Sequence, residues 1–183
     1  MKVGPSLLVG ALLAGCSAQK PADKPADHGV SVSPAQAQHL RKISLLIRHG
    51  ERAPDGRLIV EIALTPEQQE RGLMHRTDLK PGDGMLFPML PPRMPSFWMK
   101  DTPASLDILF IRMDGGVEKI IAGTKPGDRT PLFAEIPVAG VLELPAGEAQ
   151  ALALDEGDRI SWGACIEERR PARVTAPDNF CPG

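Results

Sequence analysis

Two stretches of strict alternation most constrain what this chain can fold into. In Lys42–Arg48, Ile43, Leu45 and Ile47 share one face, with Lys42, Ser44 and Arg48 opposite; over residues 58–64, Leu58, Val60, Ile62 and Leu64 do the same. A period of two fits a half-buried strand and misfits a helix. Between them, "HGERAPDGR" carries a Pro-Asp-Gly turn signal, so a hairpin with a longish loop is expected. Further strand-like runs follow at 96–101, 106–112, 117–122, 138–144 and 159–163. If the first two of these pair as a hairpin across Thr102–Ser105, Lys100 faces Asp107 on one side, and Met99 meets Ile108 and Phe97 meets Phe110 on the other. Thr65-Pro66-Glu67-Gln68 reads as a helix start, with Thr65 capping and Gln68 reaching back. That helix is short, ending near His75 before "KPGDG", and a second helical piece lies near 149–154. The apolar but proline-rich "MLFPMLPPRMP" reads as loop. These elements predict a mainly β (α+β) single domain, a compact antiparallel or barrel-like sheet with one or two short helices.

The N-terminal part is expected to stand apart from that domain. Residues 1–15 have a signal peptide's form: Lys2, then an apolar run over 7–13 too short to span a bilayer. Leu13-Ala14-Gly15-Cys16 resembles a bacterial lipobox, which makes Cys16 the lipidated residue and the chain a lipoprotein. Ser17 after the cysteine points to the periplasmic face of the outer membrane rather than the inner membrane. Residues 16–38 repeat Pro-Ala-Asp, have almost no large apolar residues, and read as a disordered tether; 39–183 form the domain. With Cys16 lipidated, Cys165 and Cys181 remain, an even pair in an oxidising compartment. A disulfide between them would add about 3 kcal/mol on a chain-entropy argument. Metal-binding thiols are the alternative, but no His or third thiol is near. A formal net charge of −2 gives no basic field for nucleic acid.

"LLIRHGERAP" resembles the nucleophile motif of the histidine phosphatases. That chemistry needs a second His much later in the chain, and the histidines are His28, His39, His49 and His75, with none beyond. A second strand also follows where that family has a helix. The motif is therefore read as a polar hairpin loop and the phosphatase reading is rejected. No G-x-S-x-G, H-E-x-x-H, phosphate loop or C-x-x-C occurs.

The order of Arg-Gly-Leu-Met-His-Arg at 71–76, Gly-Met-Leu-Phe at 84–87, Phe-Trp-Met-Lys-Asp-Thr at 97–102 and Leu-Asp at 106–107 resembles the bacterial and archaeal family called domain of unknown function 192. "VLELPAG" and Gly157-Asp158 fit the same pattern, and the resemblance spans roughly 57–163. It implies a small, mostly β domain, commonly exported or membrane-linked, and brings no activity with it.

Weighed physically, those motif residues leave alternatives. Asp107 in an apolar strand needs a partner, because an unpaired buried charge is costly. Either Lys100 or an arginine holds it for the fold, or Arg71, Met74, Arg76, Lys100, Thr102 and Asp107 line a pocket for a polar or anionic ligand, with Trp98 as its apolar wall. Methionines crowd one third of the domain, so Met74, His75, Met85 and Met99 form a candidate Cu(I) site; gap-filling core residues are the alternative. No cofactor is required by the sequence. The leading expectation is a lipid-anchored, non-catalytic accessory domain that binds an unknown small molecule or protein. A Cu(I)-binding domain is the alternative, and then a hydrolase using Asp101 and Asp107, a pair the hairpin would put on opposite faces.

Overall fold

In a computed structural model, β1 (Lys42–Arg48) and β2 (Gly56–Ile62) form the expected antiparallel hairpin, with Leu45 opposite Leu58. Their inward residues are buried and the alternate ones more open, as the period of two requires. The structure describes residues 40–163, 166 and 174–182, all within one compact unit. Chain order continues with α1 (Pro66–Arg71), β3 (Met85–Arg93), β4 (Leu106–Ile111), β5 (Val117–Ile121), β6 (Val138–Pro145), α2 (Glu148–Ala151), β7 (Arg159–Trp162), β8 (Val174–Ala176) and β9 (Asn179–Cys181). The strands make one sheet in the order β5-β4-β6-β3-β2-β1-β7-β9-β8. No helix among the described residues is long and apolar enough to cross a membrane.

The mainly β expectation holds, with two refinements. The sheet is mixed, because β2 and β3 pair in parallel through Glu61–Met85 and Ile62–Leu86. A parallel pair needs a crossover, and α1 with the loop after it supplies one. The sheet also stays open. Its nearest approach to a barrel is a single bridge, Gly116 to Arg159, which brings the β4–β5 turn against β7.

Each face of the sheet carries its own core. One holds Leu45, Ile62, Leu86, Leu109, Leu142 and Trp162, with Trp162 stacked on Phe180 at 4.3 Å. The other holds Met85, Phe87, Met99, Ile108, Phe110 and Val141. Strands β4 and β6, together with the first five residues of β3, are therefore buried on both sides and read as apolar runs without alternation.

Two expectations are corrected here. Residues 85–93 are a strand, not a loop. Met85 to Pro88 pair with β6, and a register irregularity between Pro88 and Arg93 absorbs the prolines that cannot donate to a ladder. The hairpin of 96–101 with 106–112 does not form: β4 lies between β5 and β6. Residues 97–102 instead cross the second core as a covering loop. Phe97 makes one bridge to Leu132, and a turn closes with the Thr102 N–H donating to Met99 O at 3.1 Å. Asp101 there has φ 54, and its carbonyl accepts the His75 N–H at 2.8 Å, so no strand continues.

α1 starts as the sequence indicates. The Gln68 N–H donates to Thr65 Oγ1 at 3.2 Å, and Gln68 Oε1 accepts the Thr65 N–H at 3.0 Å. It ends at Arg71 rather than near His75, because Gly72 turns the chain at φ 47. A Cβ at Gly72 would stand 3.2 Å from Phe87 Cζ, so this motif glycine serves both conformation and close approach.

Candidate functional site

The most polar event in the second core is on β6. Glu143 pairs with Met85 on one side and Ile108 on the other, placing its side chain in the apolar layer beneath the 72–79 and 95–102 loops. It is 5% exposed, and among the described residues its carboxyl has no hydrogen-bond or ion-pair partner. No fully enclosed side-chain polar atom there lacks a partner, so its residual exposure is to the cavity it lines. Burial alone pushes this carboxyl up to about 8. At neutral pH it is mostly protonated.

That cavity, about 330 Å³, lies at the lower end of ligand-pocket sizes. Phe87 and Phe97 set its walls at right angles, ring centres 5.1 Å apart, and Phe97 meets Phe110 edge-on at 6.3 Å. Leu73, Met74 and Met89 add apolar lining, and half-exposed Trp98 stands at the opening. Thr102 is buried, its hydroxyl donating to Lys100 O at 3.2 Å. Two guanidiniums line the mouth. Arg93 donates to Gln69 Oε1 at 2.6 Å, and Gln69 in turn donates to Ala63 O and Pro88 O. Arg71 has no ion-pair partner among the described residues; Glu70 beside it is the remaining charged group of the lining. The mouth is cationic, the walls aromatic, and the floor a lone acid.

Of the residues singled out by sequence, Arg71, Met74, Trp98 and Thr102 meet in this pocket. Arg76 does not: it pairs with Glu61 at 3.0 Å and Asp78 at 2.9 Å beside a neighbouring hollow. Lys100 sits outside, 5.8 Å over the Trp98 ring and 3.7 Å from Asp101. Asp107 is on the opposite face of the sheet. Its partners are neither Lys100 nor an arginine but three backbone N–H groups, from Gly123 (2.9 Å), Gly147 (2.9 Å) and Ala149 (3.0 Å). It ties β4 to the start of α2.

The proposed Cu(I) ligands are not gathered either. Met85 and Met99 are fully buried in the second core, while Met74 and exposed His75 line a neighbouring hollow, so the four do not meet. Among the described residues, no three of His, Cys, Asp and Glu group as a metal site. Asp101 is half exposed in its turn, away from Asp107, so the two share no site. Cys16 and Cys165 lie outside the described residues; Cys181 ends β9. His49 and Arg52 of the phosphatase-like run are engaged by Asp158: His49 Nδ1 is 2.9 Å from one oxygen and Arg52 2.5 Å from the other. The resemblance to a nucleophile motif is a structural clasp between the β1–β2 loop and the start of β7.

Sequence reasoning missed Glu143, though the signal was present: one charge in "VAGVLEL", a strand otherwise apolar. Gly84 opens the Gly-Met-Leu-Phe motif. A Cβ there would stand 2.8 Å from Glu143 O, so the glycine lets β3 start against β6.

Fold and site define a small mixed-sheet domain with a ligand-sized pocket under a loop cover. The chain belongs to the DUF192 family, described as "Uncharacterized ACR", whose model matches residues 48–162. A crystal structure from Sinorhizobium meliloti 1021, of a protein named as a candidate transcription regulator, is similar at 36% identity and TM-score 0.63, covering 67% of this chain and 95% of that one. A protein of unknown function from Novosphingobium aromaticivorans DSM 12444 is similar at 36% identity and TM-score 0.62, covering 81% of this chain and all of that one. No curated protein matches.

Proposed function

We propose that this is a non-catalytic, small-molecule-binding domain held in the cell envelope by a lipid on Cys16. One observation carries the binding reading. A buried carboxyl with no partner among the described residues forms the floor of a pocket lined by Arg71, Met74, Phe97, Trp98 and Thr102, all drawn from the family's motifs. Buried polar groups are ordinarily satisfied, so one that is not calls for an explanation, and its place in a pocket favours a bound ligand. The mouth adds direction: Arg71 and Arg93 favour a ligand with an anionic end. A net charge of −2 argues against carrying over the transcription role named for one relative.

Native mass spectrometry of the chain exported in its own host tests this. The wild type should retain an organic mass that Trp98→Ala loses, since Trp98 is half exposed and its removal spares the core. A bare wild-type chain with correct folding counts against the pocket. The same spectrum reports the proposed Cys165–Cys181 disulfide as a two-proton mass deficit. Fatty-acid labelling that survives in Cys16→Ala would refute the anchor. Outer-membrane placement on the periplasmic side is tested by fractionation.

A further inference from the structure

We infer that the ligand's buried end is an organic ammonium, received by Glu143, so that the pocket takes a zwitterion with its cation at the floor and its anion at the mouth. This rests on the binding reading above and names the ligand class.

The argument starts from charge complementarity. Glu143 is buried but for the side that faces the cavity, and among the described residues no cation reaches it. The charged groups lining the same pocket are Glu70 and Arg71 on α1 and Arg93 on β3; β4 and the 95–102 loop offer no charged side chain there. Both guanidiniums stay near the opening. A carboxylic acid at the far end therefore has an acceptor set that only an incoming donor can use. An ammonium supplies several N–H donors and the opposite charge. The walls suit the same group: Phe87 and Phe97 meet at 5.1 Å and 85°, and Trp98 closes the approach. Aromatic faces around a carboxylate attract an organic cation. A simple cation would have to pass Arg71 and Arg93. A zwitterion meets attraction at both ends, its anionic group bonding the guanidiniums as its ammonium passes inward.

Proton linkage gives the reading a distinctive signature. The acid must be ionised to pair with an ammonium, and burial keeps it mostly protonated at pH 7. Binding then displaces the Glu143 proton. Affinity should climb roughly tenfold per pH unit below about 8 and level off above it.

The experiment uses 6-aminohexanoate, with 6-hydroxyhexanoate and hexanoate as matched probes, titrated calorimetrically into the intact chain and Glu143→Gln. Indole fluorescence of Trp98 follows occupancy. At pH 8.5 the wild type should prefer the amine to the alcohol at least tenfold, and Glu143→Gln should lose that preference while keeping hexanoate binding. The wild type should also release a proton on taking the amine at pH 7. Equal binding of amine and alcohol, or a preference that survives in Glu143→Gln, overturns the ammonium assignment and leaves the pocket standing. If none of the three binds, the assignment and the pocket reading fall together.

Discussion

Replacing Glu143 by Gln should make the protein more stable, and more so as the pH rises. In the folded chain the carboxyl titrates at about 8, against an ordinary value of 4.5. Between those values the unfolded chain has lost the proton and the folded chain still holds it. Stability therefore falls with rising pH across that window, is undiminished below it, and is flat above it. At about 1.4 kcal/mol per pH unit, the full interval removes about 5 kcal/mol, and about 3 kcal/mol is already gone at pH 7. Whole domains are stable by only about 5–15 kcal/mol, so this is a large fraction. Glutamine keeps the shape and does not ionise. Urea unfolding followed through the fully buried Trp162 gives the comparison. Near pH 4.5 the two proteins should unfold within about 1 kcal/mol of each other. At pH 9 the variant should persist to a urea concentration higher by about 2 M, taking a slope of about 2 kcal/mol/M. A gap between the two that is the same at pH 4.5 and pH 9 would refute the reasoning, because only an acid kept neutral by burial generates the slope.

Three further outcomes are expected. Asp107→Ala strips an acceptor from three backbone N–H groups and should lower stability by at least about 3 kcal/mol in the same urea assay; Asp107→Asn should recover part of it. Asp158→Asn should lower the urea midpoint at pH 7, with the gap narrowing in acid. Burial raises the Asp158 carboxyl, but hydrogen bonds from Arg52, the Asp155 N–H and His49 outweigh it and leave it lowered, so its contribution is present above the ordinary carboxylate range and lost as pH falls. Gly84→Ala places a Cβ 2.8 Å from Glu143 O and from Leu144 Cδ2; thermal melts should show a loss of roughly 1–3 kcal/mol.

What the sequence made legible follows from which faces are solvated. β1 and β2 show their period of two because one side meets water. The α1 cap was legible because Thr65 and Gln68 act within one turn. β3 was hidden because burial on both faces over its first five residues erases alternation and its prolines imitate a loop. The false hairpin arose from a real likeness: Phe97 and Met99 are apolar at alternate positions, but they pack down as a cover rather than along a ladder. Four of the seven proposed ligand residues converge because the end of α1 and the two cover loops carry them to one place. Lys100 and Asp107 were brought together only by a hairpin that does not form, and Arg76 of the 71–76 motif is taken up by Glu61 and Asp78. Glu143 was passed over because a strand position reveals a face only when its neighbours alternate.

The two buried acids of the central strands decide between structure and function. Asp107 and Glu143 lie on neighbouring strands one position out of register, since Ile108 is opposite Glu143 and Asp107 opposite Leu144; they point to opposite faces. Both are removed from water, and both incur the cost of desolvation. Asp107 recovers it from three N–H groups fixed by the backbone, so its role is complete within the chain. Glu143 recovers nothing from the described residues and is held mostly neutral instead. An apolar residue in that position would be more stable, as its neighbours Val141 and Leu142 show by packing without such a cost. A group that weakens the empty protein offsets its cost only in a state where something else meets it. In the proposed function, the pocket in front of Glu143 is where a ligand would create that state.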